Sequence, residues 1–436
     1  MNKTSTSDLQ QPSGWRGKVW ARAFLWAAAF AMVAVGTIGP ADAAQASNKS
    51  WSIASYNVGA FNYGNFIVTT NVGGSSAKTA AQLPNPIPNR WWGNNIGTAN
   101  INRARTIAGW IATRTIDNEP LDIVATQEVS GGQVVVGTTT TTQRNDLNAR
   151  LLASTSPIKY ASVPVGTVST YAVGTITCGT GSSTQTINRP MTRNTPIYYR
   201  TSALTVVASG EFSGSELLAA ESTAARNAYR TALGTSFASC SSSENRLNND
   251  KYFPFAILKT TGASANERNR VLIVSSIHST ASIGYKTATD ADRRYFNGRI
   301  MYRLGMALRS MQTGGSGGGK SFVANPPAIV AGDFNDRYAT ASRSGSSVKS
   351  APKSLVDDAG FTDSRPFIKT TTDCAGVVAK CREYATTSEA GSSKIFDYIM
   401  TRYTGNTTTR VKFHTYADDR RISDHRMISV RLKFHN

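Results

Sequence analysis

Short runs rich in Val, Ile and aromatic residues recur along the chain, each followed by a stretch rich in Gly, Ser, Thr or Asn. "WSIASYNV", "LDIVATQEV", "IYYRTSALTVV", "YFPFAILKTT", "VLIVSSIHS", "PAIVAGDFND", "KIFDYIMT" and "HRMISVRLKF" all have the length and composition of β-strands. Two segments have helical spacing instead. Ile101, Ala104, Ala108 and Ile111 recur within residues 100–117, and Met301, Leu304, Leu308 and Met311 within residues 290–312. The pattern predicts a mixed protein in which strands outnumber helices. Residues 62–99, the "GTTTTT" tract at 137–142 and residues 312–320 read as surface loops.

The strand ends carry the chemistry. Asn57 follows "WSIASY", Glu128 follows "LDIVATQ", His278 follows "VLIVSSI", and Asp333 and Asn335 follow "PAIVAG"; Asp397 lies within "KIFDYI", and Asp424 and His425 open the last run. Two of only four histidines fall in these places. Buried polar groups are costly unless they are paired or bind something. The set combines oxygen ligands suited to a hard cation with imidazoles able to move protons or stabilise charge. Asp336 reads as a turn residue. Because these ends are spread from residue 57 to 425, they predict one domain over residues 47–436 with long loop insertions.

The order "SYNV", "TQEV", "SIHS", "GDFND", "FDYI", "SDHR" resembles the endonuclease/exonuclease/phosphatase superfamily, and its deoxyribonuclease I branch in particular. The resemblance implies an α+β fold, a four-layer α/β/β/α sandwich. It implies that Asn57 and Glu128, with Asp424 nearby, hold a divalent ion, Mg2+ or alternatively Ca2+ or Mn2+. Asp333 would activate water, Asn335 would hold the scissile phosphate, and His278 and His425 would flank it, with Asp397 orienting His425. Two departures stand out: Arg193 and Asn194 occupy the region where the branch carries an acidic partner for its first histidine, and Met427 replaces the usual proline.

Charge narrows the substrate. The net charge is +20, and removing residues 1–46, with four cations and two acids, lowers it to +18. Such an excess favours polyanions such as nucleic acid, or anionic membrane surfaces. With the resemblance it implies a secreted metal-dependent endonuclease acting on DNA, with RNA as an alternative substrate. Arg420, Arg421 and Arg426 bracket Asp424 and His425 as candidate phosphate contacts, whereas Arg293, Arg294, Arg299 and Arg303 fit either a phosphate contact or a solvated helix face. A sphingomyelinase-like lipid phosphodiesterase, with "NRWWGNN" at 89–95 as its membrane hairpin, and a catalytically silent nucleic-acid-binding or adhesion protein are the alternatives.

Compartment follows from the N-terminus. Arg16, Lys18 and Arg22 precede the apolar stretch 23–35 and then "ADAAQA", the order of a secretory signal peptide cleaved after Ala43 or Ala46. A secreted or periplasmic protein without stable membrane insertion is expected. Cys178, Cys240, Cys374 and Cys381 suit an oxidising compartment and allow three pairings, of which Cys178–Cys240 with Cys374–Cys381 is simplest. Their spacing does not match a zinc site. "GGSGGGKS" at 314–321 matches a phosphate-binding loop in letters only, because it follows a helix and leads towards a strand, the reverse of the required context.

Overall fold

The computed structural model describes residues 50–58, 107–129, 133–136, 139–153, 156–165, 175–178, 185–188, 194–219, 221–222, 251–263, 270–279, 290–313, 325–343, 345–365, 395–403, 407–416 and 425–435. The signal-peptide region, the tryptophan pair of "NRWWGNN", the glycine-rich 314–321 segment, Cys240, Cys374, Cys381, Arg420, Arg421 and Asp424 lie outside the described residues. Among the described residues, no helix is long and apolar enough to cross a membrane.

Two six-stranded sheets are formed by β1 (Ser50–Asn57), β2 (Ile123–Gln127), β3 (Tyr160–Ser162), β4 (Ile197–Arg200), β5 (Leu204–Ser213), β6 (Tyr252–Thr260), β7 (Val271–His278), β8 (Ala328–Asp333), β9 (Thr362–Asp363), β10 (Asp397–Arg402), β11 (Thr407–Thr415) and β12 (Ile428–His435). The first sheet runs β11-β12-β1-β2-β4-β3 and the second β5-β6-β7-β8-β10-β9. Each contains one parallel pair at its centre, β1 with β2 and β7 with β8.

The continuous apolar character of the central strands has a direct cause: both of their faces are covered. Trp51, Ile53, Ile123, Val274, Ile329, Ile399 and Val430 meet between the sheets. On the outer face of the first sheet, Tyr56 and Val124 pack with Ile107 and Ile111 of α1 (107–113) and with Leu147 and Leu151 of α2 (Gln143–Leu152). On the outer face of the second, Ile273, Ile277, Val330 and Met400 pack with Ile300, Leu304 and Leu308 of α3 (Asp290–Gln312) and Leu355 of α4 (Ala351–Asp357). Adjacent residues Ile273 and Val274 thus face opposite layers, as a pleated strand requires. The result is a four-layer α/β/β/α sandwich.

Three differences from the sequence reading have physical causes. "IYYRTSALTVV" is not one strand: a turn closed by Ala203 N–H donating to the Arg200 carbonyl hands the chain from β4 in one sheet to β5 in the other. The "GTTTTT" tract is not only loop, because Thr139–Thr142 pairs with Gln133–Val136 in a hairpin and leads into α2. The edge strand β11 went unread because Arg410, Lys412 and His414 are exposed and leave little apolar signal.

Candidate active site

The two parallel pairs end at the same edge of the sandwich. Asn57 is in register with Gln127, the residue before Glu128, and His278 is in register with Asp333. The antiparallel strand β10 begins there too, with Asp397 opposite Asp333. Three strand crossings therefore deliver Asn57, Glu128, His278, Asp333 and Asp397 to one place, and the start of the segment entering β12 adds His425. All six are buried.

Asn57 joins the two sheets. Its Nδ2 donates to Glu128 Oε1 at 3.3 Å and to Asp333 Oδ2 at 3.0 Å. Beneath this link, Gln127 Nε2 donates to Ser276 Oγ at 3.3 Å, and Ser276 Oγ donates to the Thr126 carbonyl at 3.2 Å, stitching the sheets at the floor of the site. Glu128 has φ of +61°, a left-handed conformation unusual for a side chain of its size. The turn is pinned on both sides: Val58 N–H donates to the Gln127 carbonyl and Val129 N–H to the Asn194 carbonyl, each at 3.1 Å. Such held strain is characteristic of functional sites.

Asp333 is the hub. Its Oδ1 accepts from Asn335 N–H at 2.7 Å, and its Oδ2 lies 3.7 Å from both His278 Nε2 and His425 Nε2. Burial pushes its carboxyl up to about 7; His425 opposes the shift, nearby Asp397 adds to it, and the donors Asn335 and Asn57 oppose it. Asn335, at φ of +49°, donates from Nδ2 to the Ser279 carbonyl at 3.0 Å. His425 Nδ1 lies 2.7 Å from Asp397 Oδ2, an imidazole–carboxylate dyad buried on both sides. His278 Nδ1 lies 3.2 Å from Asn194 Nδ2. Burial holds the His278 imidazole well below its ordinary value, and the positive charges of Lys251 and His425 act in the same direction.

The expected residues come together with few exceptions. Asn57, Glu128, His278, Asp333, Asn335, Asp397 and His425 form one cluster, while Asp424, Arg420 and Arg421 fall outside the described residues. Arg426 is 7% exposed, as deeply set as His425. The helix arginines answer the question left open by charge alone. Arg293 donates to the Asn335 carbonyl at 2.9 Å, Arg294 pairs with Asp336 at 3.2 Å, and Arg299 and Arg303 both hold Glu221, at 2.5 and 3.0 Å. Asp336 is accordingly not a mere turn residue. It is 2% exposed and anchors α3 to the "GDFND" loop, so Arg293 and Arg294, which look like part of a substrate stripe, brace the loop that carries Asp333.

Two neighbours are not among the expected site residues, although Asn194 lies in the region where the resemblance implies a partner for His278. Lys251, just before β6, is half-buried. Burial pushes its ammonium down to about 8, although the charges of Glu128 and Asp333 oppose that shift. Asn194 is 1% exposed and supplies the contact to His278 where the family resemblance implies an acid. Nothing in "NNDKYF" marks Lys251, which is recruited by sheet packing rather than by a motif, whereas the resemblance points to the region of Asn194 without showing which atom meets His278.

The donor set fits a hard divalent cation. Glu128 and Asp333 are two buried carboxylates flanking the Asn57 amide, and Asp333 is strained towards its neutral form by burial. Asp333, Asp397 and His425 also lie close enough to share an ion. In that trio, however, Asp397 and His425 already engage one another at 2.7 Å. The oxygen-rich side at Asn57 and Glu128 is therefore the better match.

No protein-family model and no curated protein sequence matches the chain. Solved structures do. An endonuclease/exonuclease/phosphatase from Bacteroides vulgatus is 14% identical and aligns over 89% of this chain and 100% of its own, with a TM-score of 0.44. Its fold is similar to that of endonuclease/exonuclease/phosphatase proteins. A mannosyl-6-phosphatase from Bacteroides thetaiotaomicron (14% identity, 88% of this chain and 100% of its own, TM-score 0.42) and the human Nocturnin catalytic domain with bound sulfate (12%, 88% and 95%, 0.43) show the same likeness.

Proposed function

We propose that the protein is a secreted, divalent-metal-dependent endonuclease that hydrolyses phosphodiester bonds of DNA. One observation carries the reading: an amide and two imidazoles, brought from both sheets, converge on the buried Asp333 Oδ2, with Asn57 Nδ2 at 3.0 Å and both Nε2 atoms 3.7 Å from it. A phosphodiester is anionic and repels nucleophiles, so its hydrolysis needs charge neutralisation, an oriented water and a protonated leaving group.

Each need has a candidate. Asn57 and Glu128, with Asp424 adjacent to His425 in sequence, would hold Mg2+, Ca2+ or Mn2+. When bound, the ion neutralises phosphate charge and polarises a phosphoryl oxygen. Asp333, whose carboxyl is pushed up to about 7, is suited to take a proton from the attacking water near neutral pH. The water oxygen bonds to phosphorus as the bond to the leaving oxygen breaks, and the electron pair goes to that oxygen. His425 in its protonated form supplies the leaving oxygen with a proton from Nε2, while Asp397 holds Nδ1. The proton gained by Asp333 then lies within a short reorientation of His425 Nε2, 3.7 Å away, which restores both groups. Asn335, braced by Ser279 and Arg293, would hold a phosphate oxygen.

The net charge of +20 favours a polyanionic substrate, and the signal-peptide pattern of the N-terminus supports an activity outside the cytoplasm. The test is a substrate panel: plasmid DNA, RNA, sphingomyelin vesicles and a sugar phosphate, each with Mg2+, Ca2+ or Mn2+. Cleavage of plasmid DNA is expected. Release of choline phosphate or inorganic phosphate with intact DNA would replace this reading.

A further inference from the structure

The two imidazoles face the same oxygen but are held from behind by opposite chemistry. His425 Nδ1 meets Asp397 Oδ2 at 2.7 Å, and an ionised carboxylate only accepts, so the proton sits on Nδ1 and Nε2 is left to exchange one. His278 Nδ1 meets Asn194 Nδ2 at 3.2 Å, and an amide nitrogen only donates. The Nδ1 lone pair is thereby used, and the neutral ring carries its proton on Nε2. The other side of the ring agrees independently: Nε2 faces Glu128 Oε1 at 3.8 Å and Asp333 Oδ2 at 3.7 Å, both acceptors, against which a lone pair would be repelled. Asn194 is enclosed at 1% exposure, and its backbone carbonyl accepts from Val129 N–H at 3.1 Å, which ties this position to the strained turn at Glu128.

We propose that Asn194 is a positioning residue that locks His278 as an Nε2–H donor, so that His278 hydrogen-bonds a non-bridging phosphate oxygen without exchanging a proton and His425 with Asp397 alone moves the proton. The proposal rests on the phosphodiesterase reading for its substrate, and on hydrogen-bond chemistry alone for the tautomer. A carboxylate at position 194 would invert the assignment, because it can only accept and would draw the proton to Nδ1.

The full-length protein labelled with 15N-histidine tests the tautomer directly by NMR, without metal and at mildly alkaline pH, with His278→Gln used to assign the signals. The expected spectrum has His278 protonated at Nε2 and unprotonated at Nδ1, the reverse for His425, and an inverted His278 pattern in Asn194→Asp. A wild-type His278 protonated at Nδ1 overturns the proposal, whatever Asn194→Asp does.

Kinetics give a second reading on plasmid DNA. His278→Ala should lose about 10²–10³ in turnover, the cost of a removed charge-stabilising donor. His278→Gln, whose amide N–H can stand in for Nε2–H, should recover to within about tenfold of wild type, in line with the worth of one hydrogen bond. His425→Gln should lose about 10²–10⁴. Equal loss in His278→Gln and His278→Ala would overturn the donor role. Wild-type turnover in His425→Gln would overturn the assignment of proton transfer to His425, whereas absence of plasmid cleavage by the wild type would contradict the phosphodiesterase reading, with the tautomer still decided by the spectrum.

Discussion

Gly332 is where packing and chemistry are least separable. It sits in β8 opposite Ile277, one residue before Asp333, with φ of +153°. A Cβ at this position would collide with the Ile277 carbonyl oxygen and come within 2.9 Å of both its carbonyl carbon and Cγ1. Real Cβ contacts essentially never fall below 3.0 Å, so β7 and β8 must part by about 1 Å to admit alanine. Overpacking costs about 1–3 kcal/mol, and a non-glycine residue at such a φ about 1–3 kcal/mol more. Gly332→Ala is therefore expected to lose about 2–6 kcal/mol, a large share of the 5–15 kcal/mol that holds a typical domain. The same movement separates His278 from Asp333 and Asp333 from Asn57. A misplacement of that size is worth about 10² in rate. Urea denaturation followed by tryptophan fluorescence, with plasmid cleavage on the folded fraction, reads both effects. Wild-type stability with wild-type turnover would refute the close approach of the two strands.

Three further outcomes follow from the same geometry. Asp397→Asn replaces the carboxylate facing His425 Nδ1 with an amide that can donate as well as accept, and should cut turnover by about 10³–10⁴ while the fold persists, checked by circular dichroism and steady-state kinetics. Asn57→Ala breaks the link between Glu128 and Asp333 and should weaken the apparent affinity for the activating cation by about 10–100-fold, measured as the metal concentration for half-maximal rate. Burial alone would raise the Glu221 carboxyl, but hydrogen bonds from Arg299 and Arg303 hold it below its ordinary value. With a folded value below the unfolded one, its contribution is present above the usual glutamate range and is lost as pH falls through the folded value. The stability gap between wild type and Glu221→Gln should accordingly shrink on acidification in denaturant melts.

Much of the frame was legible because it is written locally. Strands β1, β7 and β8 are unbroken apolar runs that stop at a polar residue, and α3 keeps helical spacing over the whole of Asp290–Gln312. The site residues at those strand ends could be named for the same reason. What stayed hidden depends on partners distant in sequence. Asp336 looks like a turn residue until Arg293 and Arg294, 43 and 42 positions earlier, are packed against it. The resemblance points to the region of Asn194, but that Asn194 supplies the contact shows only when His278, 84 residues away, is laid beside it. Lys251 precedes a strand in an ordinary polar loop, and only the pairing of β6 in the second sheet brings its charge near Glu128 and Asp333.

The central claim is that the cluster around Asp333 hydrolyses phosphodiesters with a bound divalent ion, and plasmid nicking tests it most directly. Wild-type protein is to be compared with Asp333→Asn, each in Mg2+ and again after EDTA. The account predicts conversion of supercoiled to open-circular DNA by the wild type in Mg2+, its abolition by EDTA, and a loss of about 10²–10⁴ in Asp333→Asn. Nicking that survives EDTA, or an Asp333→Asn protein that nicks at the wild-type rate, would contradict it.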